Sequence, residues 1–364
     1  MDGPDLGAAR LAQQGLVAPR FAGAADLVAW MGAVQGQDYL MALWGLGQRL
    51  AGATEAALEA AVADYRIVRI GFMRGTLHFL PGRDFRWMVA LLGPQMRRAI
   101  AAANRIHHLG LDEATLARSN AVIVAALRGR RLLTRPALSD VLARAGIPQD
   151  GLARTLTSRR AQADGLICFG PRQGKQHTFA LVDEWVPEGP DLDGAAALAE
   201  FTRRYFLSHG PATLTDFAWW SGFTAGEAAA ALDAVRGALV AEEIAGQTYW
   251  RAPDPVRVTG PAPQAWLLPN YDEYLVAYRD RSAVLARVQR HGVALSNEAI
   301  FSPTIVMDGQ VVGTWKRRMQ RAAVAVSLDV LVPLTVAEQA ALDAAVARFG
   351  AFLGLPVTVS GREA

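Results

Sequence analysis

Residues 111–182 constrain the fold more than any other stretch, because they carry the start and stop signals of three helices and a hairpin in one order. Residues 112–127 have helical apolar spacing, with Asp112 and Glu113 in the first turn, where carboxylates suit the positive end of the helix dipole. Next comes Leu132-Leu133-Thr134-Arg135-Pro136. Thr134 is a good N-cap, and Pro136 falls in the first turn, where a missing N–H does no harm. That second helix runs to about residue 145 and stops at Gly146, and Asp150 caps a third over 151–163. After Asp164-Gly165 there is an apolar strand (166–169), a tip Gly170-Pro171-Arg172-Gln173-Gly174-Lys175, and a second strand (177–182). Three helices followed by a hairpin is the order of a winged helix-turn-helix. Its third helix carries Arg154, Arg159 and Arg160 and its hairpin tip Arg172 and Lys175, which makes these the candidate contacts to double-stranded DNA. The alternative is a winged helix used only as scaffold or for protein contacts.

The order recurs. A helical stretch over 194–208 leads through Gly210-Pro211-Ala212-Thr213 to a short helix over 214–221; Thr224 then caps a helix over 225–239, and two strands meet at Ala245-Gly246. Cations are few there, which favours a scaffold role. The N-terminal region reads similarly: helices over 26–34 and 39–50, a third from Thr54 to about 64, a hairpin of 66–73 and 76–80 around Arg74-Gly75, and a connecting helix over 85–103. From residue 261 the texture changes. Strands are expected at 265–268, 300–306, 310–314 and 322–328, with a hairpin turn at Met307-Asp308-Gly309 and a last helix over 335–349. The expected fold is α+β, mainly α, with three tandem winged helix-turn-helix units plus a C-terminal β-rich α+β domain. The divisions are 1–84, 85–185, 193–255 and 261–364.

Composition matters here for what it withholds. The formal net charge is only +3, and every basic residue is Arg except Lys175 and Lys316. A GC-rich genome explains that bias as readily as phosphate binding does, so the placement of charge carries the argument. The single cysteine, Cys168, excludes an intrachain disulfide and falls on the first wing strand as core filler. No apolar run approaches the roughly 18 residues of a membrane span, and the first residues show no export signal. A cytoplasmic, monomeric protein is expected. There is no HExxH, no paired-Cys motif and no phosphate-binding Gly loop, and the six histidines form no ligand set. Neither a metal nor a cofactor is expected.

The notable polar segment is Val34-Gln35-Gly36-Gln37-Asp38, set between apolar helical stretches. Residues two apart do not share a helix face. At a helix-to-helix junction, however, Gly36 lets the chain turn and brings both amides to one side. Two amides at one point offer donors and acceptors that orient a water; the alternative is that they cap helix ends. In Arg74-Gly75-Thr76-Leu77-His78-Phe79, Arg74 at the bend is placed to meet phosphate or a base edge. His78 faces away from Leu77 and Phe79, as a groove-facing or a satisfied structural histidine. In the C-terminal part, Asp272 and Glu273 are expected to pair with Arg279, Arg281 or the cations at 316–318, with Lys316 and Arg317 touching DNA backbone.

With Asp216-Phe217-Ala218-Trp219-Trp220, Leu268-Pro269-Asn270-Tyr271-Asp272-Glu273-Tyr274 and Gly313-Thr314-Trp315-Lys316-Arg317, these segments resemble the tandem winged-helix DNA glycosylases of the AlkZ and YcaQ type, including azinomycin-resistance glycosylases. The resemblance spans nearly the whole chain. It implies winged helices around a DNA-binding channel and a catalytic Gln-x-Gln pair at Gln35 and Gln37. It also implies a β-hairpin against DNA, for which the Arg74 hairpin and the 170–175 wing are both candidates. One branch of the family has Asp at the second position; Gln37 resembles the crosslink-resistance branch, while Gly36 departs from the usual aliphatic or Ala residue. The implied reaction is removal of a cationic N7-alkylguanine by water held by the two glutamines, with Asp38 adding negative charge near an oxocarbenium-like transition state. No lysine lies near the motif, so a monofunctional enzyme is expected. Two other readings are a DNA-binding regulator without chemistry and a protein that sequesters the alkylating drug itself.

Overall fold

Helix starts are set locally. In the computed structural model, which describes residues 3–256, 263–296, 298 and 301–361, the side chains of Asp112, Thr134, Thr213, Thr224 and Thr335 each accept a backbone N–H three residues on. Each satisfies one of the donors that a helix N-terminus leaves unpaired. Asp150 differs from expectation: it stands at the cap position of Gly151–Ala163 but makes no capping bond with its side chain. The expected strand start at Ile300 lies outside the described residues, as do 257–262.

The chain forms an α+β structure of two units. The smaller comprises residues 32–36 and 59–201, the larger the residues up to 31, 37–58 and 202 onward. Residues 1–84, read from sequence as one segment, contribute to both. In the smaller unit, helices Phe85–Ile106, Glu113–Leu127, Arg135–Arg144 and Gly151–Ala163 accompany a six-stranded antiparallel sheet. Its strand order is Val34–Gln35, Leu77–Pro81, Ile67–Gly71, Ile167–Gln173, Gln176–Leu181 and Leu133–Thr134. The two hairpins expected to belong to separate units are joined in this one sheet, through the pair Arg69↔Phe169. The apolar faces of helices and hairpin supply one core: Ile123, Leu127, Leu138, Leu142, Ile147, Ala161, Ile167, Phe169, Phe179 and Leu181 pack together, each burial worth roughly 1.5–3 kcal/mol for the larger side chains. Cys168 is fully buried, and burial pushes its thiol pKa up, which fits its reading as core filler.

Charge is divided unequally. The smaller unit holds nineteen Lys and Arg against fourteen Asp and Glu, the larger eighteen against twenty. The near-neutral total thus conceals one unit of net +5.

The larger unit contains helices Gly3–Gln13, Ala24–Met31 and Tyr39–Gly47, a two-stranded hairpin (Val240–Ile244 with Gln247–Arg251), and a five-stranded sheet. That sheet runs Val357–Ser360, Val324–Val330, Gln310–Met319, Thr304–Met307 and Ala265–Leu268, antiparallel except for the parallel first pair. Asp308 and Gly309 both have positive φ at the expected turn. The partners of the 272–273 carboxylates are not those expected. Asp272 takes a bidentate bond from buried Arg49, at 2.7 and 2.9 Å. Glu273 accepts from Trp220 Nε1 at 3.1 Å and lies 3.4 Å from His209 Nε2. These groups are buried, and a charge removed from water is held by the partner that neutralises it; sequence spacing had no means of finding a partner 223 residues away. Among the described residues no helix is long and apolar enough to cross a membrane, and no three His, Cys, Asp or Glu side chains cluster as a metal site.

Candidate active site

Gln35 sits on a short strand rather than at a helix-to-helix junction. Val34 and Gln35 pair with Phe79 and His78, so the first glutamine is set by the sheet of the smaller unit. It is only 7% exposed. Thr76 Oγ1 lies 3.1 Å from the Gln35 carboxamide oxygen and 3.1 Å from the Met73 carbonyl, so one hydroxyl proton serves two acceptors. Gly36 adopts no left-handed φ; its role is spatial, because a Cβ there would lie 3.3 Å from the Phe79 ring. Its N–H donates to the Leu77 carbonyl at 2.7 Å, and its carbonyl accepts from Arg69 Nε at 2.8 Å. The chain then passes into the larger unit. Gln37 is exposed, and Asp38 is the N-cap of helix Tyr39–Gly47, accepting from Met41 N at 3.3 Å.

The histidine of the hairpin is not groove-facing. His78 is 1% exposed, between the strands of Gln35 and Ile70, with Nδ1 3.3 Å from the Thr76 carbonyl and the Phe72 ring edge-on at 6.1 Å. As a direct DNA contact it is withdrawn. Its place opposite Gln35 makes it a wall of the sheet that holds the glutamine.

The Arg74 bend is a tight turn in which Arg74 and Gly75 both have positive φ, 52° and 75°. Such a backbone costs a non-glycine residue roughly 1–2 kcal/mol, and here it exposes Arg74. Arg159, from the third helix of the 111–182 segment, donates to the Gly75 carbonyl at 2.6 Å. The structure thus joins two sequence candidates: the basic helix braces the bend.

The remaining cations divide. Arg160 is bound by Asp164 and Glu113 at 2.7 and 2.8 Å, and Arg172 by Glu59. Both were read as DNA contacts; both carry an acidic partner that phosphate would have to displace. Arg154 on the helix Gly151–Ala163 and Lys175 at the hairpin tip are exposed. In the larger unit, Lys316 is exposed and Arg317 half-buried on the strand Gln310–Met319.

Three basic groups escaped the sequence reading: Arg69, Arg135 and His177. Burial, and then the neighbouring charges of Arg154 and Arg159, lower the pKa of Arg135. Burial, then Arg69, Arg172 and Arg135, push the His177 ring down to about 4. Burial comes first for both, and a shared positive field around the 167–181 hairpin and the helix Gly151–Ala163 adds to it. The signal in the sequence was a lone cation in an apolar strand: Arg69 stands within Ile67-Val68-Arg69-Ile70.

Comparison with known proteins decides the family. The family described as DNA glycosylase AlkZ-like matches residues 28–352. The chain belongs to that family. Members are hydrolases of N-glycosyl bonds, and DNA is the substrate. An interstrand DNA cross-link repair glycosylase of Streptomyces sahachiroi is 24% identical over 363 residues, covering 92% of this chain and 93% of the relative. The solved structure of the Streptomyces sahachiroi DNA glycosylase AlkZ superposes with a TM-score of 0.77 at 21% identity, covering 99% of this chain and all of the other. At that identity the likeness speaks for the fold.

Proposed function

We propose that this glycosylase excises cationic N7-alkylguanine from duplex DNA and unhooks interstrand crosslinks, with Gln35 and Gln37 positioning the attacking water. The observation that carries the reading is the immobilised Gln35-Gly36 segment: a buried carboxamide oriented by Thr76 and by strand pairing with His78, followed directly by exposed Gln37. An amide pair suits a reaction whose leaving group is already activated. N7-alkylation puts a positive charge on guanine; cleavage of the glycosidic bond releases a neutral base and leaves an oxocarbenium-like sugar. The protein then needs only to hold a water opposite the departing base, an orientation effect worth several kcal/mol. The Asp38 carboxylate caps a helix, so its first duty is to start that helix directly after Gln37.

For DNA itself, we take the 111–182 segment as a winged helix-turn-helix whose helix Gly151–Ala163 and hairpin Ile167–Leu181 supply phosphate contacts through Arg154 and Lys175. The Arg74 bend, braced by Arg159, is the hairpin presented to the lesion. The deciding experiment incubates the protein with duplexes carrying N7-methylguanine or a nitrogen-mustard crosslink and scores free base and alkali-labile sites. Release by wild type is the expected result. Tight binding without release on both substrates makes the protein a DNA-binding regulator and sinks the reading.

A further inference from the structure

We infer that Arg69 is a positioning residue for the water-orienting pair, holding the peptide plane between Gly36 and Gln37; the inference rests on the catalytic reading of those glutamines. Arg69 is 5% exposed, on the strand Ile67–Gly71, where its backbone pairs with Phe79 on one side and Phe169 on the other. It therefore sits where the two hairpins of the sheet meet. Its guanidinium lies 5.4 Å from the Phe169 ring, and its Nε donates to the Gly36 carbonyl at 2.8 Å.

The consequence follows from covalent geometry. The carbonyl of Gly36 shares one planar unit with the N–H and Cα of Gln37, so fixing that oxygen fixes the direction in which Gln37 leaves the strand. A hydrogen bond from a charged donor is about twice as strong as a neutral one. The other side of the same glycine is tied as well, by its N–H to the Leu77 carbonyl, and the Phe79 ring closes the space a Cβ would occupy. The glycine that makes this motif unusual is therefore not a loose hinge. It is gripped at its N–H by one strand and at its carbonyl by the Arg69 side chain from the next.

The test compares Arg69→Met, Arg69→Lys and Gln37→Ala, each checked for folding by circular dichroism. Single-turnover release of N7-methylguanine from duplex DNA is measured alongside binding to the same duplex. Arg69→Met is expected to slow release about 10–100-fold, the scale of a small misplacement of a positioning group, with the dissociation constant changed less than about threefold. Arg69→Lys, which keeps the charge, retains more of the rate, and it serves as the readable variant where Met unfolds the chain. A residue acting through Gln37 adds little once Gln37 is gone, so Arg69→Met in a Gln37→Ala background should cost less than about threefold. An undiminished rate, an equal loss in both backgrounds, or a parallel loss of binding with a salt slope reduced by about one overturns the inference, the last by showing a phosphate contact. Hydrogen exchange separates the two possible failures. Full activity of Gln37→Ala removes the catalytic reading, whereas unchanged exchange of the Gly36–Gln37 amides in Arg69→Met removes the clamp.

Discussion

The two halves of the Gln35-Gly36-Gln37-Asp38 run are built on different principles. Gln35 and Gly36 belong to the smaller unit and are held by a sheet: strand pairing, Thr76, Arg69 and the Phe79 ring leave them one arrangement. Gln37 and Asp38 belong to the larger unit and are held by a helix start, where Asp38 bonds Met41 N and Gln37 meets solvent. The difference teaches that Gln35 is placed by long-range pairing, whereas Gln37 stands between a clamped Gly36 carbonyl and a local helix cap. Substitutions on the two sides should therefore fail differently.

The largest effect is expected from Gln37→Ala, which removes the exposed amide and leaves the fold intact. Single-turnover base release should drop about 10²–10³-fold, the cost of deleting one preorganised polar group at a reacting centre, while thermal stability changes little. Full activity would end the catalytic assignment. Gln35→Ala should lower the rate less and stability more. It takes away one of the two acceptors of the Thr76 hydroxyl, which keeps the Met73 carbonyl, and opens a gap beside His78, at a cost of about 0.5–1.5 kcal/mol for the lost hydrogen bond. Urea denaturation read beside the rate distinguishes the two glutamines. Equal stability losses for both would break the comparison.

That asymmetry also explains what was legible in the sequence. Caps and turns are local, so Thr134, Thr224, Asp308-Gly309 and the 111–182 order of elements could be read directly. The Gln-x-Gln pair was found, but its setting was misread as a junction between helices, because a two-residue strand has no periodicity to detect. Its partner strand lies some 43 residues on. The same distance problem hid Arg69 and the Arg49–Asp272 pair: a buried arginine announces nothing until the fold supplies its acceptor. The sequence leaves His78 between a groove-facing and a structural reading because alternation marks two faces of a strand but not which is covered, and in this sheet both are.

Two intermediate effects probe the smaller unit's cations. The His177 ring has a native pKa of about 4, against 6.5 for an ordinary histidine, from burial and then from Arg69, Arg172 and Arg135. As pH falls, the unfolded chain takes up this proton first. Stability should therefore be complete above about pH 7, decline between 6.5 and 4, and level off below. Solvent screening of a half-buried ring reduces the effect to about 1–2 kcal/mol. Subtracting the urea-derived stability of His177→Gln from wild type across this range isolates the slope; no difference between the two proteins means the cationic cluster does not act on the ring. Arg159→Ala should free the Gly75 carbonyl and loosen the Arg74 bend. Binding to lesion-bearing duplex should then weaken about 3–10-fold, the worth of one hydrogen bond to a charged group. If Arg159 braces the bend, as the 2.6 Å contact implies, the salt slope of binding stays at the wild-type value; a slope reduced by about one would show a phosphate contact instead.

The smallest effect tests the other side of the run. Asp38→Ala deletes a cap and should cost about 0.5–1 kcal/mol of stability. Asn caps a helix as well as Asp does, so Asp38→Asn should keep both the stability and the rate of base release to within about threefold. That pair of variants divides the two uses of one carboxylate. If the negative charge stabilises the oxocarbenium-like sugar, Asp38→Asn becomes as slow as Gln37→Ala while remaining as stable as wild type. If the carboxylate serves only to begin the helix after Gln37, Asp38→Ala loses stability and Asp38→Asn loses nothing. The 3.3 Å bond to Met41 N argues for the second outcome, because a carboxylate engaged at a helix N-terminus is already directed toward backbone N–H groups and the dipole behind them.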